Sequence, residues 1–261
     1  MIRIDPGRCI LCGMCAKVCA SRCLHVTDNG IAVRHEERCM QCGHCMAVCP
    51  QAAVSLNDIR PDTLKPAGTL PGINELDALI RSRRSIRLFK DDAVPEELLL
   101  RALDTVRYAP TGKNLENVHW LIIEGRDALR RVADAVIDLF RTDSRTAALA
   151  VSHDRGGDPI FRGAPCAVFA CAEGTYALDI VNCSIAVTTL DLMLPVLGLG
   201  GCWAGFAMRA AAMDDKVCEA MNVEKGLRPL AGLMIGRPAV HYKRIPERRA
   251  LRIRTVKGEN A

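Results

Sequence analysis

Cys9-Ile10-Leu11-Cys12-Gly13-Met14-Cys15-Ala16-Lys17-Val18-Cys19 returns as Cys39-Met40-Gln41-Cys42-Gly43-His44-Cys45-Met46-Ala47-Val48-Cys49-Pro50. Each copy places three thiols on one tight loop and a fourth after three further residues. Gly13 and Gly43 stand where such a loop needs backbone conformations that a Cβ hinders. Structural zinc sites pair their ligands across a longer spacer. A cysteine triplet followed by a fourth at x₃, present twice, is instead the ligand spacing of paired [4Fe–4S] clusters. In that arrangement the fourth cysteine of each run leads into a short helix and reaches the other cluster. One cube then takes Cys9, Cys12, Cys15 and Cys49, and the other takes Cys39, Cys42, Cys45 and Cys19. Crossed ligation ties the two copies into one folding unit.

This run is that of bacterial-type ferredoxins, and residues 1–56 resemble a small domain of that kind. Between the copies, residues 23–26 and 31–34 predict a hairpin around Asp28-Asn29-Gly30, an Asn-Gly turn. Ala20 stands where the first run commonly has proline, which loosens a turn and removes no ligand. Cys23 is left over and reads as a small core residue. A chain with this N-terminus is expected to move single electrons.

The whole chain has 261 residues and 14 cysteines. Met1-Ile2-Arg3-Ile4-Asp5 carries no apolar signal region. The cysteines are therefore expected in the reducing cytoplasm, where clustered thiols read as metal ligands rather than disulfides. Apolar residues make up 49% and aromatics 4%, which predicts a sizeable and mostly aliphatic core. A formal charge of +5 is too mild to argue for a nucleic-acid partner. Residues 177–199 are long and apolar, yet Asp179, Asn182 and Asp191 would each be costly in hydrocarbon. A buried helix, with no membrane association, is expected there.

Composition changes after Leu56. Residues 57–72 hold prolines and glycines and read as an extended linker. Residues 73–261 then form a second domain. Apolar spacing predicts helices over 73–83, 95–108, 127–140 and 176–197, the second opened by Pro95. Strands are expected at 118–123, 166–171, near 202–206 and at 229–235. Residues 142–162 are polar and contain glycine, so they read as a mobile loop or lid. A short helix precedes the last strand, and a basic tail follows it. Helices and strands interleave without a strict βαβ rhythm, so the fold class is α+β.

Three segments of this domain carry chemistry. Arg83-Arg84-Ser85-Ile86-Arg87 offers guanidinium groups and a hydroxyl suited to a phosphate, although arginine runs are also common on solvated surfaces. Ala109-Pro110-Thr111-Gly112-Lys113-Asn114 precedes a predicted strand. Gly198-Leu199-Gly200-Gly201-Cys202-Trp203-Ala204-Gly205-Phe206 follows the long helix, and its glycines allow backbone to approach a flat ligand. A dinucleotide fingerprint would follow a strand and open a helix, whereas this glycine run follows a helix.

Taken in order, and with Ile235-Gly236-Arg237-Pro238 ahead of the basic tail, these segments resemble the nitroreductase family of FMN-dependent oxidoreductases over roughly residues 73–254. The resemblance implies a central, mainly antiparallel sheet flanked by helices, an FMN cofactor and an intertwined homodimer. In it the 176–197 helix would pack against its twin, with FMN at the interface. A single-chain core helix fits the same periodicity. By position, the resemblance assigns Arg83, Arg84 and Ser85 to the FMN phosphate and ribityl chain. It places Arg87 beside the flavin N1/O2 edge, where a cation stabilises the anionic reduced ring. Asn114 matches a residue at the pyrimidine edge, usually reached from the partner subunit. Gly200 and Gly201 belong to the turn whose Ala204 and Gly205 backbone contacts flavin N5, and Arg249 matches a second phosphate position.

Two departures stand out: Leu115-Glu116 replaces a common Ser-Gln, and Arg237 replaces an aromatic. No catalytic acid or base is visible, since His119 and His153 show no partner pattern. Cys166, Cys171, Cys183, Cys202 and Cys218 read as buried thiols.

The expected activity is an FMN-dependent oxidoreductase that receives or passes single electrons through two [4Fe–4S] clusters. Its acceptor would be a small electrophile such as a nitroaromatic, a quinone or an activated alkene. Trp203, Phe206 and the 142–162 segment are the expected pocket residues. Reduced ferredoxin or NAD(P)H would be the donor. A reductive dehalogenase or dehydrogenase on the same scaffold, and a non-enzymatic electron-transfer or redox-sensing module, are the alternatives.

Overall fold

A computed structural model describes residues 1–258. The N-terminal unit is built from two hairpin-like pairs and two single-turn helices. Strand β1 (Ile2–Ile4) pairs antiparallel with β4 (Val54–Leu56), and β2 (Leu24–Thr27) pairs antiparallel with β3 (Gly30–Val33). Helices α1 (Met14–Lys17) and α2 (His44–Ala47) each follow a glycine in the left-handed region, Gly13 at φ 72° and Gly43 at φ 69°. Those glycines turn the chain sharply enough for the thiol loop to lead straight into a helix. Ile2, Cys23, Leu24, Met46, Val54 and Leu56 form the small core.

The β2–β3 turn differs from the predicted one. Gly30 pairs with Thr27, so the loop residues are Asp28 and Asn29, and neither has positive φ. The left-handed demand falls on Gly30 alone (φ 141°), while the Thr27 hydroxyl donates to its carbonyl at 2.9 Å. Residues 57–63 still belong to the first unit. Asn57 bonds Gln41 at 3.1 Å, and Arg8 pairs with Asp62 at 3.1 Å. Residues 64–72 are exposed throughout.

The second unit contains α3 (Ile73–Ser82), α4 (Glu96–Val106), β5 (His119–Glu124), α5 (Arg126–Phe140), α6 (Ala147–Asp154), β6 (Cys166–Ala172), α7 (Asp179–Met193), β7 (Gly200–Trp203), α8 (Gly205–Ala211), α9 (Asp215–Ala220) and β8 (Arg228–Gly236). Its sheet runs β5-β6-β8-β7, and every neighbouring pair is antiparallel. This is the mainly antiparallel sheet flanked by helices that the sequence implied.

Strand β6 shows why the layers form. All of its residues are buried. Ala167, Phe169 and Cys171 face α5, α8 and α9, while Cys166, Val168, Ala170 and Ala172 face α4 and α7. Alternation of side chains across a strand thus splits one apolar run between two cores. Each large aliphatic or aromatic side chain fully buried there contributes about 1.5–3 kcal/mol.

Helix α7 continues as a tight turn over Leu194–Leu197, which Gly198 ends in the left-handed region. Asp179–Leu197 is apolar and long enough to cross a membrane by composition. It packs instead on β6 and β8, with Asp179, Asn182 and Asp191 buried inside the protein.

Residues 142–162 are a correction. They fold into α6 and ordered turns rather than a lid. Ile160 and Phe161 are 1% and 0% exposed, and Asp158 accepts backbone N–H bonds from Ile160, Phe161 and Gly163. The expected strand near 202–206 is also shorter, because Gly205 already opens α8.

Candidate functional site

The crossed cysteine sets meet in space. A small cavity is lined by Cys9, Cys12, Cys15 and Cys49, with Ile10 and Val54 among its apolar walls. A second is lined by Cys19, Cys39, Cys42 and Cys45, with Ile2 and Leu56. In each, the fourth cysteine comes from the opposite copy, delivered by the single-turn helix before it. Its sulfur also accepts a backbone N–H four residues on, Cys23 to Cys19 at 3.2 Å and Ala53 to Cys49 at 3.3 Å.

Burial pushes the Cys45 thiol up to about 11 and raises Cys15 as well. Sulfurs in such surroundings become thiolates only beside strong positive charge. Two apolar cavities with four sulfurs each therefore fit iron–sulfur cubes, whose iron supplies that charge. Cys23 is fully buried beside Cys19, lines the second cavity, and packs in the core as expected.

In the second unit, the 83–90 segment runs along the sheet edge. Ile86 N–H donates to the Gly201 carbonyl at 2.9 Å, Lys90 N–H to Arg237 at 2.9 Å, and Ala239 N–H to Leu88 at 2.9 Å. This brings the arginine segment, the glycine turn and the 235–238 stretch together. Arg83 is partly buried and its Nη1 donates to Asp191 Oδ2 at 3.0 Å. The Arg84 guanidinium folds back onto the carbonyls of Arg81 and Ser82. Ser85 is half-buried and Arg87 is exposed.

The glycines of the turn divide by role. A Cβ on Gly200 would lie 2.4 Å from Ile86 Cγ1, and one on Gly201 would lie 2.8 Å from Leu194 Cδ1. Both are buried, and their lack of a side chain is used by packing inside the chain. Ala204 is 1% exposed, whereas a Cβ on Gly205 would meet nothing within 4 Å. Trp203 is 37% exposed, but Phe206 packs edge-on against Phe140 at 6.2 Å.

The Ala109–Asn114 stretch lies elsewhere. Gly112 N–H donates to Asn182 Oδ1 at 2.9 Å. Asn117 Nδ2 donates to Asp179 at 2.7 Å, and Asn182 Nδ2 to Asn117 at 3.2 Å. Asp179 also accepts from the Gly174 and Tyr176 backbones at 3.0 and 3.1 Å. This satisfied network clips the turn to the N-terminal end of α7. Lys113, Asn114 and Glu116 all take positive φ. The departure at Glu116 has a consequence here: its Oε1 accepts from Asn114 Nδ2 at 2.9 Å.

Arg249 lies in the tail, where residues 241–258 are exposed throughout. His153, read as unpartnered, is in fact buried with Nε2 2.7 Å from Asp134 on α5. A wide cavity separates the two units, walled by Met40, Cys42 and His44 on one side and by Tyr108, Asn114 and Trp120 on the other. Asp179, Asn182 and Asp191 were visible in the sequence only as costs to a membrane helix. Polar residues recurring on an apolar helix were the signal that they fix something inside the protein.

Residues 80–237 match the Nitroreductase family model, and residues 8–53 match the 4Fe-4S dicluster domain model. A putative NADH dehydrogenase/NAD(P)H nitroreductase of Methanothermobacter thermautotrophicus is 24% identical over 64% of this chain and 80% of its own length. A 4-nitrobenzoate reductase of a Nocardioides species is 33% identical over 33% of this chain and 34% of its own. Among solved structures, a nitroreductase with bound FMN from Bacteroides fragilis aligns with a TM-score of 0.59 at 20% identity, covering 69% of this chain and 98% of that one.

Proposed function

This chain belongs to the nitroreductase family, with a 4Fe-4S dicluster domain ahead of it, and from that premise we propose that it couples two iron–sulfur clusters to FMN to reduce a small electrophile. The observation that carries the reading is the convergence of the Arg83–Arg87 segment on the glycine turn through the Ile86–Gly201 hydrogen bond. That bond sets the segment assigned to the phosphate beside the turn assigned to the flavin ring.

The residues fit FMN. Among the described residues, only Nη1 of the Arg83 guanidinium takes a partner, which leaves donors for a phosphate. Arg84 and Ser85 stand beside it, and the open space at Gly205 admits a flat ring. Arg87 would face the flavin edge and Arg249 would supply a second phosphate contact from the tail. The Bacteroides fragilis structure holds FMN on the same fold. When bound, FMN supplies two-electron storage and each cluster supplies one-electron transfer. The chain's own part is to hold, orient and shield these groups.

Cys9, Cys12, Cys15 and Cys49 hold one cluster, and Cys19, Cys39, Cys42 and Cys45 hold the other. Cys42, which would hold the second cluster, lies on the wall of the cavity between the units, as does Asn114. Nitroaromatics head the acceptor list because one relative is a 4-nitrobenzoate reductase, and quinones and activated alkenes share their electrophilic character. NAD(P)H or a reduced one-electron carrier such as ferredoxin is the donor. The site is shared between two chains of a homodimer. The setting is cytoplasmic, in keeping with fourteen cysteines that form no disulfide.

The test is anaerobic stopped-flow on the loaded, reduced protein. Rapid return of the oxidised-flavin absorbance on mixing with a nitroaromatic or quinone supports the reading. Reoxidation by a carrier protein alone would make it an electron-transfer module. Protein that purifies with iron and sulfide but no FMN would sink the flavin assignment.

A further inference from the structure

The pair Arg83–Asp191 joins two distant parts of the chain, the end of α3 and the last turns of α7. Its two members sit differently. The Arg83 side chain is 25% exposed, whereas that of Asp191 is 7% exposed. Asp191 Oδ2 accepts from Arg83, while its Oδ1 is buried with no partner. That oxygen lies against Gly201, 3.2 Å from where a Cβ would stand. Burial pushes the Asp191 carboxyl above the usual carboxylate range, and the guanidinium beside it works in the opposite direction.

A half-satisfied buried carboxylate is costly. It also serves no packing need that a leucine would not meet better on this apolar helix. What it does provide is a fixed anchor behind a long, flexible cation. An arginine side chain loses much rotamer freedom on being ordered, and its planar fork presents several donors in fixed directions once one nitrogen is held. Nη1 is held from the core side. The remaining donors belong to the exposed part of the side chain.

We propose that Asp191 is a positioning residue for the anion site: it holds the Arg83 guanidinium from behind so that the free donors meet the phosphate of FMN. The inference rests on the placement of that phosphate at Arg83–Ser85 proposed above. Asp191 acts through Arg83 and touches no reacting atom. Its effect is therefore confined to ligands that carry a phosphate.

The experiment compares FMN with riboflavin, which has the same ring and ribityl chain without the phosphate. Dissociation constants are measured on apo-flavin protein by quenching of flavin fluorescence, for the wild type, Asp191→Asn, Arg83→Ala and the double variant. Asp191→Asn keeps the shape and removes the charge-assisted bond. Preference for FMN over riboflavin should fall about tenfold in Asp191→Asn, with riboflavin affinity unchanged. In the Arg83→Ala background the Asp191 substitution should change that preference no further.

Equal weakening of both ligands would show a merely structural role and overturn the proposal. An unchanged preference would overturn it too, and a raised one would show that Asp191 competes with phosphate for Arg83. Arg83→Ala keeps the proposal exposed even if Asp191→Asn fails to fold, because an unchanged preference there leaves Asp191 nothing to act through. A wild type without preference for FMN would instead refute the phosphate placement itself. That outcome is distinct from a normal wild type with an indifferent Asp191→Asn.

Discussion

Gly200 and Gly205 belong to one turn and answer to different needs. A methyl on Gly200 would press into the buried Ile86 Cγ1 at 2.4 Å and the half-buried Pro238 Cγ at 3.1 Å. Gly200→Ala should therefore destabilise the protein by about 1–3 kcal/mol, the usual cost of overpacking, read as a lower urea midpoint. Gly205→Ala meets no atom within 4 Å. It should leave stability within about 0.5 kcal/mol, as for other substitutions away from packed features, yet weaken FMN binding if the ring lies against this turn as proposed above. If Gly205→Ala instead lowered the midpoint and spared the flavin, the turn would not be a flavin contact. Sequence reading grouped these glycines together, because a missing side chain looks the same whether ligand or protein fills the space. Only the partner atoms separate the two.

Single-turn helices give the N-terminal unit its logic at the scale of elements. Helix α2 delivers Cys49 to the cavity of the first copy, and α1 delivers Cys19 to that of the second. Crossed ligation predicts how cysteine substitutions combine. Cys49→Ser should cost about half of the eight irons expected of two cubes, measured by iron and sulfide content after anaerobic purification. Adding Cys9→Ser should cost no more, whereas adding Cys39→Ser should remove the rest. Ligation within each copy would give the opposite pairing.

That these two sets of cysteines come together was expected from the likeness of the doubled run to bacterial-type ferredoxins. Helices α3, α4 and α5 and strands β5, β6 and β8 were also legible, within a residue or two, from apolar patterning. Residues 142–162 were not. Their composition is polar, yet Ile160 and Phe161 enter the core and Asp158 ties the turn to backbone amides. A few buried anchors outweigh many solvated neighbours, and composition averages them away.

Across the whole molecule, Arg83 and the Asn114 turn hang from separate anchors on α7. Arg83 is tied to Asp191, while the Asn114 turn is tied to Asn182. Nine helical residues separate those anchors on α7, about 14 Å at 1.5 Å per residue. A second chain can supply what the first holds apart. The surface agrees with this. Ile180 and Val181 on α7 are 56% and 44% exposed, and a groove there runs past Ser184, Ile185 and Thr188.

Helix α3 buries no residue although Ile73, Leu76 and Ile80 share its sequence at helical spacing. A short helix with an uncovered apolar side has little reason to persist alone. The tail carries Leu251, Ile253 and Val256 into solvent at 75–84% exposure. Apolar surface of this kind suits an interface, and the homodimer proposed above is one that would cover it. Ile180→Glu adds a charge where the isolated chain already meets water, so the subunit fold should be unharmed. Sedimentation should then show two chains for the wild type and one for the variant, with FMN affinity falling in step because Asn114 no longer arrives from the partner. A wild type that sediments as one chain and still retains FMN would show that a single subunit builds the whole site.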